Sequence, residues 1–100
     1  MDTFKLVVFT PAGKAFEEDA VRSVKLWTAV GEIGILPGHT RYIGVLGRGV
    51  MEYEAPGSSQ PKRVMLTGGF ANFSDGTLTV LADSIEGAIP AGSLGASAAA

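Results

Sequence analysis

A chain of 100 residues with 46% apolar residues, 18% charged residues and a formal charge of −2 has the size and balance of one modest globular domain, and disorder is excluded. So small a negative balance offers no broad surface to a phosphate backbone, which argues against nucleic acid as a partner. With no cysteine there are no disulfides and no thiolate metal sites.

Taken in order, the chain reads as many short strands. Phe4 to Phe9 is rich in β-formers, and Thr10-Pro11-Ala12-Gly13 ends it with turn residues. A short strand centred on Phe16 and a helical turn over Ala15 to Val21 compete for the next segment. Val24 and Leu26 then alternate with Lys25 and Trp27. The run Gly31-Glu32-Ile33-Gly34-Ile35-Leu36-Pro37-Gly38-His39 mixes turn formers with bulky apolar residues and holds the chain's only histidine. It reads as a loop that presents an apolar docking surface, with Ile33, Ile35 and Leu36 as ordinary core the competing reading. Arg41 to Leu46 follows as a strand.

Two hairpins come next. Val50–Glu54 and Arg63–Thr67 flank a loop with two prolines and a glycine. Phe70–Ser74 and Thr77–Ala82 flank Asp75-Gly76, a strong hairpin signal because both turn residues must accept positive φ. Asn72-Phe73-Ser74 reads as strand alternation and not as a glycosylation acceptor. Strands this short and this closely punctuated predict an all-β fold, an antiparallel β-sandwich or flattened barrel of about ten strands. Leu6, Val8, Val24, Leu26, Val64, Leu66, Leu78 and Val80 are its expected core. The sandwich is expected over residues 1–86, and residues 87–100 read as a flexible Gly/Ala/Ser-rich tail.

Catalytic motifs fail on inspection. His39 lacks a visible orienting partner or nucleophile, although Glu32 is close enough in sequence to fold near it. One histidine without cysteine makes a poor metal site. The Gly13-Lys14 pair is no phosphate loop: Val8 stands where the first glycine belongs and Ala15 where a magnesium-binding hydroxyl belongs. Glu17, Glu18 and Asp19 are consecutive and read as a solvated charge run. Gly68-Gly69 marks a bulge or a close backbone approach.

The Gly31-to-His39 run resembles the Gly-Glu-(Leu/Ile)-Gly-(Ile/Val)-x-Pro-Gly-His signature of the ε subunit of F-type ATP synthases, called δ in mitochondria. The Phe4-to-Val8 opening, Leu66-Thr67-Gly68-Gly69-Phe70 and Val80-Leu81-Ala82-Asp83 match in the same order. The resemblance, which covers about Thr3 to Glu86, implies a β-sandwich in the central stalk that grips the γ subunit and touches the c-ring. Such a subunit is non-catalytic, carries no cofactor or metal, and couples ion translocation to ATP synthesis. It would sit peripherally on the cytoplasmic face of a bacterial inner membrane, or on the matrix or stromal face in an organelle. The resemblance places Gly31, Glu32 and Ile33 at the c-ring and Thr10, His39, Thr40 and Gly44 at γ. Gly34, Pro37 and Gly38 would shape the loop, with Lys25, Arg41 and Glu32 rimming an apolar patch.

The sequence departs from the family in two places. Thr40-Arg41-Tyr42 replaces the Ala-Pro-Leu that often follows the histidine, and nothing after Glu86 is long enough for the family's C-terminal helical hairpin, so no ATP site is expected. Two other readings stay open: a generic β-sandwich adaptor for another protein, and a small enzyme using His39 with Glu32 or Asp83.

Overall fold

The computed structural model describes residues 2–88. Phe4–Thr10 forms β1 and Gly13–Val21 forms β2; Ser23–Thr28, Gly31–Ile35 and Tyr42–Leu46 are β3, β4 and β5. Gly49–Glu54, Lys62–Leu66, Gly69–Ser74, Thr77–Ala82 and Ile85–Ala88 complete the set as β6 to β10. All ten belong to one continuous sheet in the order β10-β7-β6-β3-β5-β8-β9-β1-β2, with β4 added to the other edge of β3.

The crease of this sheet is β3. Along its length β3 pairs with β4 on one edge, while its opposite edge is shared: Ser23 to Lys25 pair with β6, and Thr28 pairs with Leu46 of β5. The sheet thus turns a corner at β3 and folds its two halves face to face, giving the expected sandwich. Every neighbouring pair is antiparallel except β1 and β9, which run parallel, Leu6 opposite Leu78 and Val8 opposite Val80. A parallel partner far along the chain has no local turn signal to announce it.

The core follows from period-two alternation. Leu6, Val8, Val21, Val24, Leu26, Ile35, Met51, Leu78 and Val80 are all but sealed from solvent, and all eight expected core residues are buried. Each such aliphatic side chain contributes about 1.5–3 kcal/mol. Phe4 meets Phe73 edge-on at 5.3 Å and closes one end. The hairpins fall where turn chemistry placed them: Asp75 and Gly76 take φ of 52° and 73° between β8 and β9. Gly69 is a close approach, because a Cβ there would meet the carbonyl of Leu81.

Three segments differ from the sequence reading. Gly13–Val21 is a nine-residue strand, longer than the short strand expected around Phe16 and in place of the competing helical turn, because pairing with β1 outweighs its weak local preference. The Glu17-Glu18-Asp19 run lies on this strand, so its charges go to opposite faces: Glu17 pairs with Lys5 at 2.7 Å, and Glu18 with Lys62 at 3.6 Å. Gly31–Ile35 is strand β4, not loop. The tail expected from Gly87 begins within β10, which ends at Ala88, and its remainder, 89–100, lies outside the described residues.

Candidate docking surfaces

The outer face of β5, β8, β9 and β1 carries apolar side chains where polar ones would satisfy the fold. Register places Val45 beside Phe70, Phe70 beside Leu81, and Leu81 beside Phe9. Because paired residues share a face, these four form one row across four strands. Val45, Phe70 and Leu81 are about half exposed at 53%, 53% and 50%, and Ile43 in the adjoining row reaches 75%. A shallow cavity of about 280 Å³ lies at the far end, lined by Phe9, Thr10, Phe70, Leu81 and Asp83. A contiguous apolar stripe of this kind is a candidate interaction surface. Lys14, opposite Phe9, gives the row a charged end.

Of the expected γ-facing residues, Thr10 borders this stripe and Gly44 lies on its β5 strand. Thr10 ends β1, and its hydroxyl holds the β1–β2 turn by accepting the Ala12 amide proton at 3.2 Å. Gly44 lies between Ile43 and Val45 but faces inward, where the Tyr42 ring lies across it. The outward contacts on this strand therefore belong to its neighbours. Thr40 is exposed on the loop before β5. His39 is half-buried: its ring stands edge-on to Phe73 at 6.0 Å and to Tyr42 at 6.3 Å, and its amide donates to Leu36 at 3.0 Å. The Nδ1–H donates to the Thr40 carbonyl at 2.7 Å. His39 thus anchors the 36–41 loop onto the end of the sandwich. Gly38 turns this loop with φ of 82°.

The expected c-ring residues lie on the β3–β4 hairpin. Strand alternation divides them: Glu32 points outward opposite Trp27, whereas Ile33 lies opposite Leu26 and packs partly buried against the core. Ile35 is fully buried, so only Leu36, 59% exposed, keeps the docking character assigned to the apolar part of this run. Gly34 shares the outward face of Glu32 and is exposed. Lys25 and Arg41 are both exposed, as a rim requires.

Sequence reasoning missed Phe9, Ile43, Val45, Phe70 and Leu81 as surface residues. The available signal was the presence of apolar residues in both phases of one strand, as in Tyr42-Ile43-Gly44-Val45-Leu46. A strand in this fold buries one phase and exposes the other.

No hydrogen bond or ion pair joins His39 to Glu32 or Asp83 among the described residues. A cavity of about 700 Å³ opens between the β1–β2 turn, β6, β7 and the start of β10; it includes Asp83, Phe16 and Tyr53 but not the chain's only histidine. At its mouth Phe16 stacks on Tyr53 at 5.8 Å, and burial, with Glu18 nearby, pushes the Tyr53 hydroxyl up to about 12. Within the described residues no group of His, Asp and Glu has the makings of a metal site.

These features define a class: a small β-sandwich with an exposed apolar face. Residues 3–88 match the family described as the ATP synthase delta/epsilon chain, beta-sandwich domain. The chain belongs to that family. It is 38% identical over 90 residues to an ATP synthase epsilon chain of Nitratiruptor, covering 90% of this chain and 66% of the relative. The corresponding chain of Desulfitobacterium hafniense is 39% identical over 84 residues, covering 84% and 61%. For Pediococcus pentosaceus the identity is 34%, covering 79% and 55%. The chain thus spans 55–66% of the length of these relatives. The fold also matches a chain in the Euglena gracilis mitochondrial ATP synthase, OSCP/F1/c-ring, with a TM-score of 0.76 at 24% identity, covering 83% of this chain and 52% of that one. A chain in the Tetrahymena thermophila mitochondrial ATP synthase central stalk/c-ring superposes with a TM-score of 0.68 at 16% identity, covering 84% and 66%.

Proposed function

We propose that this chain is a non-catalytic rotor subunit of the ATP synthase central stalk, which binds γ and the c-ring and couples ion translocation to ATP synthesis. The observation that carries this reading is the Val45-Phe70-Leu81-Phe9 row, an exposed apolar stripe on a domain of this family. Along it γ seats, with Thr10 at one end and the His39-Thr40 loop and the Gly44 strand at the other. Glu32 and Gly31, on the β3–β4 hairpin, meet the c-ring, with Ile33 supporting them from within. Gly34, Pro37 and Gly38 shape the path from this hairpin to His39. A stalk contact of this type needs roughly 1,200–2,000 Å² in total, and a close-packed sandwich is stiff enough to carry strain between two interfaces. The subunit then belongs to a membrane-associated complex, and the cytoplasmic face of a bacterial membrane is the side we assign to it.

The test is co-purification with γ from the same source, followed by calorimetry. A one-to-one complex is expected, and Phe70→Asp should weaken it by at least about thirtyfold, as loss of a central aromatic anchor does. A folded chain without affinity for γ would reject the stalk reading and bring the adaptor reading forward.

A further inference from the structure

We infer that Tyr42 is the residue that positions His39 and its loop for γ, and that Gly44 is the seat on which Tyr42 rests; this depends on the stalk reading above. Gly44 sits in the middle of β5, where a glycine weakens the ladder and offers no side chain to pack. Its backbone gives no reason for the choice, because its φ is not positive. The reason is steric. A Cβ at position 44 would overlap the hydroxyl and the ring of Tyr42, which leans along its own strand onto the glycine. Ala71, directly opposite Gly44 on β8, is small and buried, so two neighbouring strands leave room for the ring on the inner face. Tyr42 ends the Thr40-Arg41-Tyr42 stretch, where the sequence departs from the family.

Held on this seat, Tyr42 packs partly buried against the core, beside its register partner Phe73. His39 stands edge-on to both rings, 6.3 Å from Tyr42 and 6.0 Å from Phe73, each at an interplanar angle of 87°. Phe73 is fixed by burial and by its contact with Phe4, so Tyr42 is the adjustable side of this aromatic corner. An edge-to-face contact depends on where the ring lies, and Gly44 decides where that is. The Tyr42 hydroxyl has no hydrogen-bond partner among the described residues, so the ring and not the hydroxyl carries the role. The second tie of the His39 ring, to the Thr40 carbonyl at 2.7 Å, passes the position on to the exposed Thr40. Contacts thus run from Gly44 through Tyr42 and His39 to Thr40. Gly44 faces inward, and it acts on the γ side through this chain of contacts.

The experiment measures γ affinity by calorimetry, with the His39 ring resonances and the urea midpoint read on each free variant. Tyr42→Phe keeps the ring and should match wild type in all three. Tyr42→Leu keeps an apolar side chain but removes the ring; the His39 resonances should shift and γ affinity should fall about three- to tenfold. Gly44→Ala should displace the ring, shift the same resonances and lower the midpoint. Combining Tyr42→Leu with Gly44→Ala should raise the midpoint above that of Gly44→Ala, because the shorter side chain leaves the methyl its space. The double variant should nonetheless bind γ as weakly as Tyr42→Leu, whereas a loss due to destabilisation alone would follow the midpoint. Wild-type His39 resonances or wild-type γ affinity in Tyr42→Leu would overturn the positioning role. Unshifted His39 resonances in Gly44→Ala would overturn the seat. If the wild-type chain binds no γ, the stalk reading itself fails; a His39 shift in Tyr42→Leu beside that result would still support the coupling of Gly44, Tyr42 and His39.

Discussion

Gly69 and Leu81 touch backbone to backbone: a methyl group on Gly69 would run into the Leu81 carbonyl, and Gly69 holds φ of 131°. Both constraints act at once, since the β8–β9 ladder fixes the spacing and the left-handed backbone excludes a side chain. Gly69→Ala should therefore lower unfolding stability by roughly 2–4 kcal/mol, at the upper end for one methyl group. A shift of the urea midpoint at constant slope is the expected record. An unchanged midpoint would show that the two strands are free to separate.

Gly38 tests the loop that carries His39. Its φ of 82° suits glycine, and a branched residue there is strained even though open space surrounds it. Gly38→Val should cost about 1–3 kcal/mol and displace His39, weakening γ binding. An unaltered His39 resonance in the carbon–proton spectrum, together with unaltered γ affinity, would argue that the turn tolerates valine.

Acid sensitivity has an identifiable source. Hydrogen bonds from Lys14 and Lys5 hold the Glu17 carboxyl at about 2, below its ordinary 4.5. A depressed carboxyl stabilises the fold fully above its unfolded value, and that stabilisation is lost as the pH falls from about 4.5 toward 2. Glu17→Gln should flatten the stability curve in this window, and the difference should shrink in high salt because the cluster is at the surface. A Glu17→Gln curve parallel to wild type throughout the window would exclude this origin.

At the alkaline end Tyr53 provides the probe. Its hydroxyl, raised by burial first and then by Glu18, ionises near 12 instead of 10. Folding favours its neutral form, so its contribution is complete below about 10 and is lost as the pH rises toward 12. A late step in the phenolate absorbance titration should vanish in Tyr53→Phe. Retention of that step would exclude Tyr53 as its source.

Legibility in the sequence depended on whether a signal was local. Asp75-Gly76 and the alternation around Leu78 and Val80 are self-contained, so the β8–β9 hairpin was readable except for Gly69 at its start. The Gly31–Ile35 strand was not, because glycine and proline in its neighbourhood spoke for a loop while its ladder to β3 was invisible. The charged middle of β2 hid a strand for the same reason. The docking row was the hardest part. Val45, Phe70, Leu81 and Phe9 are ordinary apolar residues in four separate segments, and only the strand order, including the parallel β1–β9 pair, aligns them. Glu32 and His39 were legible as surface and loop residues from their motif, yet the inward turn of Ile33 and Gly44 needed the register.

The parallel pairing of β1 with β9 also governs how this domain is made. During synthesis Phe4–Thr10 emerges first, and the β1–β2 hairpin forms from neighbouring sequence. The other edge of β1, along Leu6 and Val8, has no strand partner until Thr77–Ala82 has left the ribosome. For most of translation the nascent chain therefore carries a strongly apolar strand with one edge unpaired. Non-local closure of this kind places refolding in about the millisecond-to-second range, and the interval before it is when aggregation or a holding chaperone competes for the chain.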